Sequence, residues 1–118
     1  MNKKEYNGWY NYETWLLKLW IDNEEGSSDY WNEVAQEVYD DSSADSTFTR
    51  DERATLELSD RLKDEFETAQ SELVGVAGFW SDLLSAAMSE VNWHEIASHY
   101  IDEVDKETSE ESSPLDSE

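Results

Sequence analysis

The chain has 118 residues, and its thirty acidic residues against eight lysines and arginines give a formal net charge of −22. Such a field repels nucleic acid and anionic membranes, so we expect no direct contact with either and look for basic partners. There is no cysteine, which excludes disulfides, thiolate metal sites and cysteine nucleophiles.

The hydropathy pattern predicts a soluble, cytoplasmic protein of one domain. No apolar run approaches the about 18 residues that mark a membrane-spanning helix. The start Met1–Glu5 lacks the apolar stretch of a signal peptide. The length predicts one helical domain over residues 1–105, and the composition predicts a disordered acidic tail over residues 106–118.

The first predicted helix runs from about Tyr12 to Asn23. Asn11 is its candidate N-cap, because an asparagine oxygen accepts hydrogen bonds from the free amides of a first helical turn. The large apolar residues of this helix recur at spacings of three and four, which places them on one face. They are Tyr12, Trp15, Leu16, Leu19 and Trp20. We expect this face to be the core on which the other helices pack.

Four further helices are predicted. Gly26 is expected to end the first helix, and the second follows over about residues 29–41. Thr49 and Glu52 form a capping box at the start of a long third helix, about residues 50–73. A fourth helix is expected near residues 79–91, and a fifth begins after Asn92. The third helix has one predicted buried stripe: Leu58, Leu62, Phe66, Ala69 and Leu73.

Strand-like alternation and hairpin turn signals are absent from the sequence. We therefore predict an all-α fold, a compact bundle of about five helices.

The start of the chain resembles a group of small proteins from phages, archaeal viruses and plasmids. The residues that carry the resemblance are Gly8-Trp9-x-Asn11-Tyr12-Glu13-Thr14-Trp15 and Leu19-Trp20-Ile21-Asp22-Asn23-Glu24. That group has no assigned activity, so the resemblance implies an origin in a mobile element and assigns no functional residue.

The sequence offers little for catalysis or for a cofactor. His94 and His99 are five residues apart, so they do not share a helical face and are not a predicted metal site. The stretch from Asp22 to Gly26 departs from the ligand spacing of a calcium loop. Neither a glycine-rich phosphate loop nor a Ser-His-Asp grouping occurs. We therefore expect a protein that is not an enzyme and that holds no metal or cofactor.

The acidic residues are distributed in a pattern. Two tracts contain no lysine or arginine, one from Leu19 to Thr49 and one from Asp64 to Asp105. Acids four apart on a helix are separated by about 6 Å along its axis. Duplex DNA carries one charge per about 1.7 Å of axis, so a charge of −22 matches about 37 Å of duplex. The acids selected as candidates for contact with a partner are Asp22, Glu24, Glu25, Asp29, Glu33, Glu37, Asp40, Asp41, Asp60, Asp64 and Glu67.

Three interpretations remain open. In the first, the chain is a DNA mimic that occupies the nucleic-acid-binding surface of a host restriction enzyme or CRISPR effector, and in character it is similar to the small acidic antirestriction proteins of phages. In the second, the acids are adaptation to a salt-rich cytoplasm, on a helical interaction module of other function. In the third, the chain is an interaction or assembly module that binds some other basic protein, with a partly exposed Trp-rich face as a homodimer interface. Mimicry concentrates acids on one surface, whereas adaptation scatters them.

Overall fold

The computed structural model describes residues 5–75 and 77–106. Five helices and no strand lie in this part of the chain, so the predicted all-α bundle is confirmed. The helices are α1 (Tyr12–Asn23), α2 (Glu25–Asp41), α3 (Arg50–Val74), α4 (Phe79–Met88) and α5 (Trp93–Glu103). The predicted acidic tail, apart from Lys106, lies outside the described residues. No helix among the described residues combines the length and apolarity that crossing a membrane needs.

Three predicted helix starts are confirmed by hydrogen bonds of the capping side chain. Asn11 Oδ1 accepts from the amide of Thr14 at 2.9 Å. Thr49 and Glu52 form the complete capping box, in which each side chain accepts from the other residue's amide. Asn92 Oδ1 accepts from the third amide of α5 at 3.0 Å. Each cap satisfies an amide that the first helical turn leaves without a partner.

The expected boundary at Gly26 is wrong. Helix α1 ends at Asn23, Glu24 adopts an extended conformation with φ −106° and ψ 115°, and α2 begins immediately at Glu25. Gly26 is therefore the second residue of α2. Two helices can meet at a single extended residue, and the sequence signal of a glycine does not reveal this arrangement.

The core is formed mainly by α2, α3 and α5. Helix α3 packs most extensively against α5, and α2 packs against both. Leu58 and Leu62 of α3 and Ile96 of α5 are completely buried. From α2, Val38 and Trp31 join the same cluster. Burial of one such side chain contributes about 1.5–3 kcal/mol to stability.

The aromatic face of α1 is not the centre of the core, which corrects the prediction. Tyr12 and Trp20 are exposed, at 47% and 65% of their full accessible surface. Trp15 is half-buried, and its ring lies 4.8 Å from the ring of Tyr6, with which it forms a small aromatic cluster at the surface. Helix α1 instead turns Ile21 into the core, so its inner face is displaced from the one that its large side chains suggested.

A buried polar network ties the start of α1 to the turn before α5. Asn11 Nδ2 donates to the carbonyl oxygen of Glu90 at 2.6 Å, and Thr14 Oγ1 donates to Asn11 Oδ1 at 2.6 Å. The amide of Asn92 donates to Thr14 Oγ1 at 2.8 Å. Asn11 and Thr14 are almost fully buried. These bonds therefore hold the start of α1 against the turn that precedes α5.

The buried stripe of α3 is shorter than predicted. Leu58 and Leu62 are fully buried and Phe66 is partly buried against the core, but Ala69 is exposed and Leu73 keeps 79% of its accessible surface. The stripe has the predicted register, yet the last two turns of α3 extend past α2 and α5. Helix α4 ends at Met88, earlier than predicted.

Candidate acidic interaction surface

All eleven candidate acids are exposed, and they occupy two helices and one corner of the bundle. Asp22 and Glu24 lie at the junction of α1 and α2. Six candidates belong to α2, and three belong to the middle of α3. The structure therefore separates the junction acids from those of α3, while α2 lies between the two groups in the chain.

Five acids form a row along the outer side of α2, which we call the α2 row. Because the spacing is four throughout, each acid is about 6 Å further along the axis and is rotated by about 40° from the one before. The whole row extends over about 24 Å. The buried residues of α2 lie on the opposite side of the helix. The members of the α2 row are Glu25, Asp29, Glu33, Glu37 and Asp41.

The α2 row carries no compensating positive charge on its own helix. Helix α2 contains six acids and no lysine or arginine. Among the described residues, no ion pair involves a member of the row. Arg50 lies at the C-terminal end of α2, but its guanidinium donates to the carbonyl oxygens of Tyr39 and Asp40, at 3.1 and 3.3 Å. Arg50 thus binds two of the last carbonyl oxygens of the helix, one of which, that of Tyr39, also accepts from the amide of Ser42.

The acids of α3 line an open groove beside the loop that follows α2. Asp60, Asp64 and Glu67 share this groove of about 890 Å³ with Asp41, the last member of the α2 row. The groove also contains Arg53, Arg61 and Lys63. Its charge is therefore mixed, in contrast to that of the α2 row.

Ion pairs partly neutralise the groove and the junction. Lys63 lies 4.0 Å from Glu67, and Arg61 lies 3.5 Å from Glu57. At the junction, Lys18 donates to both carboxylate oxygens of Asp22 at 2.8 and 2.9 Å. Exposed pairs of this kind contribute about 0–1 kcal/mol, and they reduce the negative potential locally.

Two acids that were not selected as candidates shape the groove. Asp45 Oδ1 accepts from the amides of Phe48 and Thr47 at 2.8 Å each, and these bonds hold the pKa of Asp45 below its ordinary value. Glu57 lies three residues before Asp60 on the same side of α3. The three-residue spacing was a usable signal for Glu57, whereas the loop position of Asp45 had none.

A direct hydrogen bond connects α2 with α3 next to the α2 row. Tyr30 Oη donates to Glu65 Oε2 at 2.6 Å. This bond raises the pKa of Tyr30, with smaller contributions from burial and from the negative charges of Glu65 and Glu37. The tyrosine thereby fixes the relative position of the two acidic helices at their exposed edge.

Comparison with known families covers nearly the whole chain. The model of DUF7249, a family of unknown function, matches residues 2–113. The chain belongs to this family. The match includes all five helices and every candidate acid, so the acidic surface lies within the family's domain. No curated protein and no solved structure was found that matches the chain.

The described residues of this DUF7249 protein hold no group of three or more histidines and acids arranged for a metal ion. His99 stacks on Trp9, with ring centroids 4.1 Å apart, and both histidines are exposed on α5. The arrangement that the candidate acids do form is a negatively charged helix face beside a groove of mixed charge. Such an arrangement of negative charge attracts a cationic surface.

Proposed function

We propose that the chain is a DNA mimic that inhibits a basic nucleic-acid-binding protein of its host, such as a restriction enzyme or a CRISPR effector. The observation that carries the proposal is the α2 row, which is exposed, regularly spaced and without a compensating base on its helix. The partner is a basic groove that normally holds the phosphate backbone.

The charge density of α2 supports this proposal. One strand of B-DNA places about seven phosphates in 24 Å of axis, at one per about 3.4 Å. Helix α2 offers six carboxylates over its 17 residues. A groove lined with lysine and arginine for one strand therefore meets a similar number of negative charges on α2. The groove of mixed charge beside α3 lies next to this contact and is less negative than α2.

The α2 row also has a cost for folding. Its four successive like-charge pairs at i,i+4 destabilise the helix by about 0.2–0.5 kcal/mol each, or about 1–2 kcal/mol together. A single lysine or arginine in the row would remove much of this repulsion. Retention of five acids in register is explained if the uniform charge is needed for binding.

The test compares two triple variants of equal charge. The first reverses three acids of the row: Glu33→Lys, Glu37→Lys and Asp41→Lys. The matched control reverses three exposed acids elsewhere: Glu90→Lys, Asp102→Lys and Glu103→Lys. Each variant changes the formal charge from −22 by +6 to −16. General loss of negative charge therefore affects both alike, and only a specific contact through α2 distinguishes them.

The assay is retention of host proteins on the immobilised chain, followed by elution with duplex DNA and, separately, with salt. We expect the wild type and the control to retain a DNA-binding enzyme that duplex DNA displaces, and the α2 variant to lose it. The same three proteins are then added to the DNA-dependent reaction of that enzyme, where only the α2 variant should fail to inhibit. Equal inhibition by the two variants would remove α2 from the contact.

Adaptation to high salt is the second candidate, and one observation favours it. Exposed acids also occur away from the α2 row, for example Asp82 on α4 and Asp102 on α5. An adapted protein folds only in salt near the molar range, where charge repulsion is screened over about 3 Å. A folded wild type at low salt, measured by circular dichroism, would contradict adaptation.

A further inference from the structure

Helix α4 presents three large apolar residues outward, although Met88 at its end packs against the core. Its buried residue is Ser81, while Phe79 and Trp80 each keep 67% of their accessible surface and Leu83 keeps 52%. These three side chains lie within about 100° of one another around the helix axis, given 100° per residue. Ala87, which is also exposed, shares this side of the helix. We call this surface the α4 face.

The α4 face lies in a weakly charged part of the chain. Residues 68–89 contain two acids, Glu72 and Asp82, and no lysine or arginine. The other surfaces carry most of the net charge of −22 and repel another acidic molecule. A second copy of the chain can therefore approach at the α4 face with a small electrostatic cost. A basic partner, in contrast, is attracted to the α2 row.

The exposed area suits an interface between two copies. A phenylalanine or tryptophan offers about 150–250 Å², so two rings at two-thirds exposure provide about 200–330 Å² per copy. A standard interface buries about 800 Å² per partner, of which about 65% is apolar in homodimers. Phe79 and Trp80 alone supply about half of that apolar area, and Leu83 adds to it.

We propose that the chain forms a homodimer in which the α4 faces of two copies pack against each other. The pairing is isologous, so the same apolar residues contribute from both sides. The exposed Ala87 next to the aromatic rings allows the two helices to approach closely. This proposal does not depend on the DNA-mimic function, because it concerns a different surface.

The test is the molar mass of the full chain by light scattering and sedimentation, from micromolar to millimolar concentration. We expect a mass twice the 13.7 kDa of one chain. Association should strengthen from about 0.15 M to about 1 M salt, because screening reduces the repulsion between the copies. Binding of a basic partner through the α2 row has the opposite salt dependence.

Two substitutions of equally exposed tryptophans identify the surface. Trp80→Ala should raise the Kd of the dimer by at least about tenfold. Trp20→Ala is the matched control, since Trp20 on α1 is 65% exposed, and it should leave the Kd unchanged. Leu83→Ala serves as a second variant of the α4 face, and circular dichroism checks that each variant is folded.

Three results would overturn the homodimer. The first is a single-chain mass for the wild type at all concentrations and both salt levels, in which case the α4 face serves a different partner. The second is a dimer that Trp80→Ala and Leu83→Ala do not weaken. The third is a dimer that Trp20→Ala weakens as strongly as Trp80→Ala, which would show that the interface is not specific to the α4 face.

Discussion

Reversal of one charge in the middle of the α2 row should stabilise the fold. Glu33 has Asp29 four residues before it and Glu37 four residues after it, and all three side chains are exposed. Glu33→Lys removes two repulsive pairs and creates two attractive ones. At about 0.2–0.5 kcal/mol for each of these four changes, the free energy of unfolding should rise by about 0.8–2 kcal/mol. Glu33→Gln removes only the repulsion and should give about half of this gain.

The matched control is the same substitution in the opposite surroundings. Glu57 on α3 has Arg53 and Arg61 at the two positions four residues away, and Arg61 pairs with it at 3.5 Å. Glu57→Lys turns two attractive pairs into repulsive ones, which is four changes. The repulsion from Asp60 becomes an attraction, and these two opposite changes offset about half of the cost. We expect a loss of about 0.4–1 kcal/mol, because the pair energies are the same.

Urea unfolding followed by tryptophan fluorescence measures both variants at low salt and at about 1 M salt. The two opposite effects should both become small at high salt, where the Debye length is about 3 Å. A Glu33→Lys variant no more stable than the wild type at low salt would refute the assumption that the α2 row is under electrostatic strain. An effect that persists in high salt would assign the change to packing or helix propensity instead.

Two further predictions concern hydrogen bonds. Asn11→Ala should lower the free energy of unfolding by about 2–4 kcal/mol in urea titrations, because it removes a cap and leaves the Glu90 carbonyl without its donor. Asn92→Ala removes only a cap and should lower the free energy of unfolding by about 1 kcal/mol. Equal losses for the two variants would contradict the role of the buried network. Tyr30→Phe should be less stable than the wild type at neutral pH. The pKa of Tyr30 is raised mainly by its hydrogen bond to Glu65, so its contribution is complete below the ordinary tyrosine pKa of about 10 and is lost as the pH rises through the higher folded value. The stability difference should therefore shrink in strongly alkaline solution, and a constant difference would contradict this linkage.

Local signals in the sequence were sufficient to predict the helices themselves. The caps at Asn11, Thr49 and Asn92 depend on residues that are three positions apart, so the sequence alone located three helix starts correctly. The boundary at Gly26 failed because a glycine permits a helix end without requiring one. Glu24 breaks the helix instead, and nothing in its residue type distinguishes it from its acidic neighbour Glu25.

Burial was harder to predict, since periodicity identifies which residues share a face and not what covers that face. Leu62 and Leu73 belong to the same stripe of α3, yet Leu62 is fully buried and Leu73 is exposed. The difference arises because α5 and α2 pack on the first part of α3 and not on its end. Trp20 and Trp80 illustrate the same limit, because a large apolar side chain is not necessarily covered by another part of the chain.

For the acidic surface, the exposure of the candidate acids could be predicted from the sequence, whereas their arrangement in space could not. Exposure of the candidate acids followed from their charge, because isolated carboxylates are almost never buried. Which of the acids lie near one another could be learned only from the fold. Asp41 lines the same groove as Asp60 and Asp64 because the loop after α2 returns along α3. In the same groove Arg53, Arg61 and Lys63 dilute the negative charge, whereas the sequence of α2 itself contains no lysine or arginine. Helix α5 also lacks lysine and arginine, but it carries three acids against six on α2. If the proposed function holds, α2 is the contact helix, and reversal of three of its charges is the change to which inhibition is most sensitive.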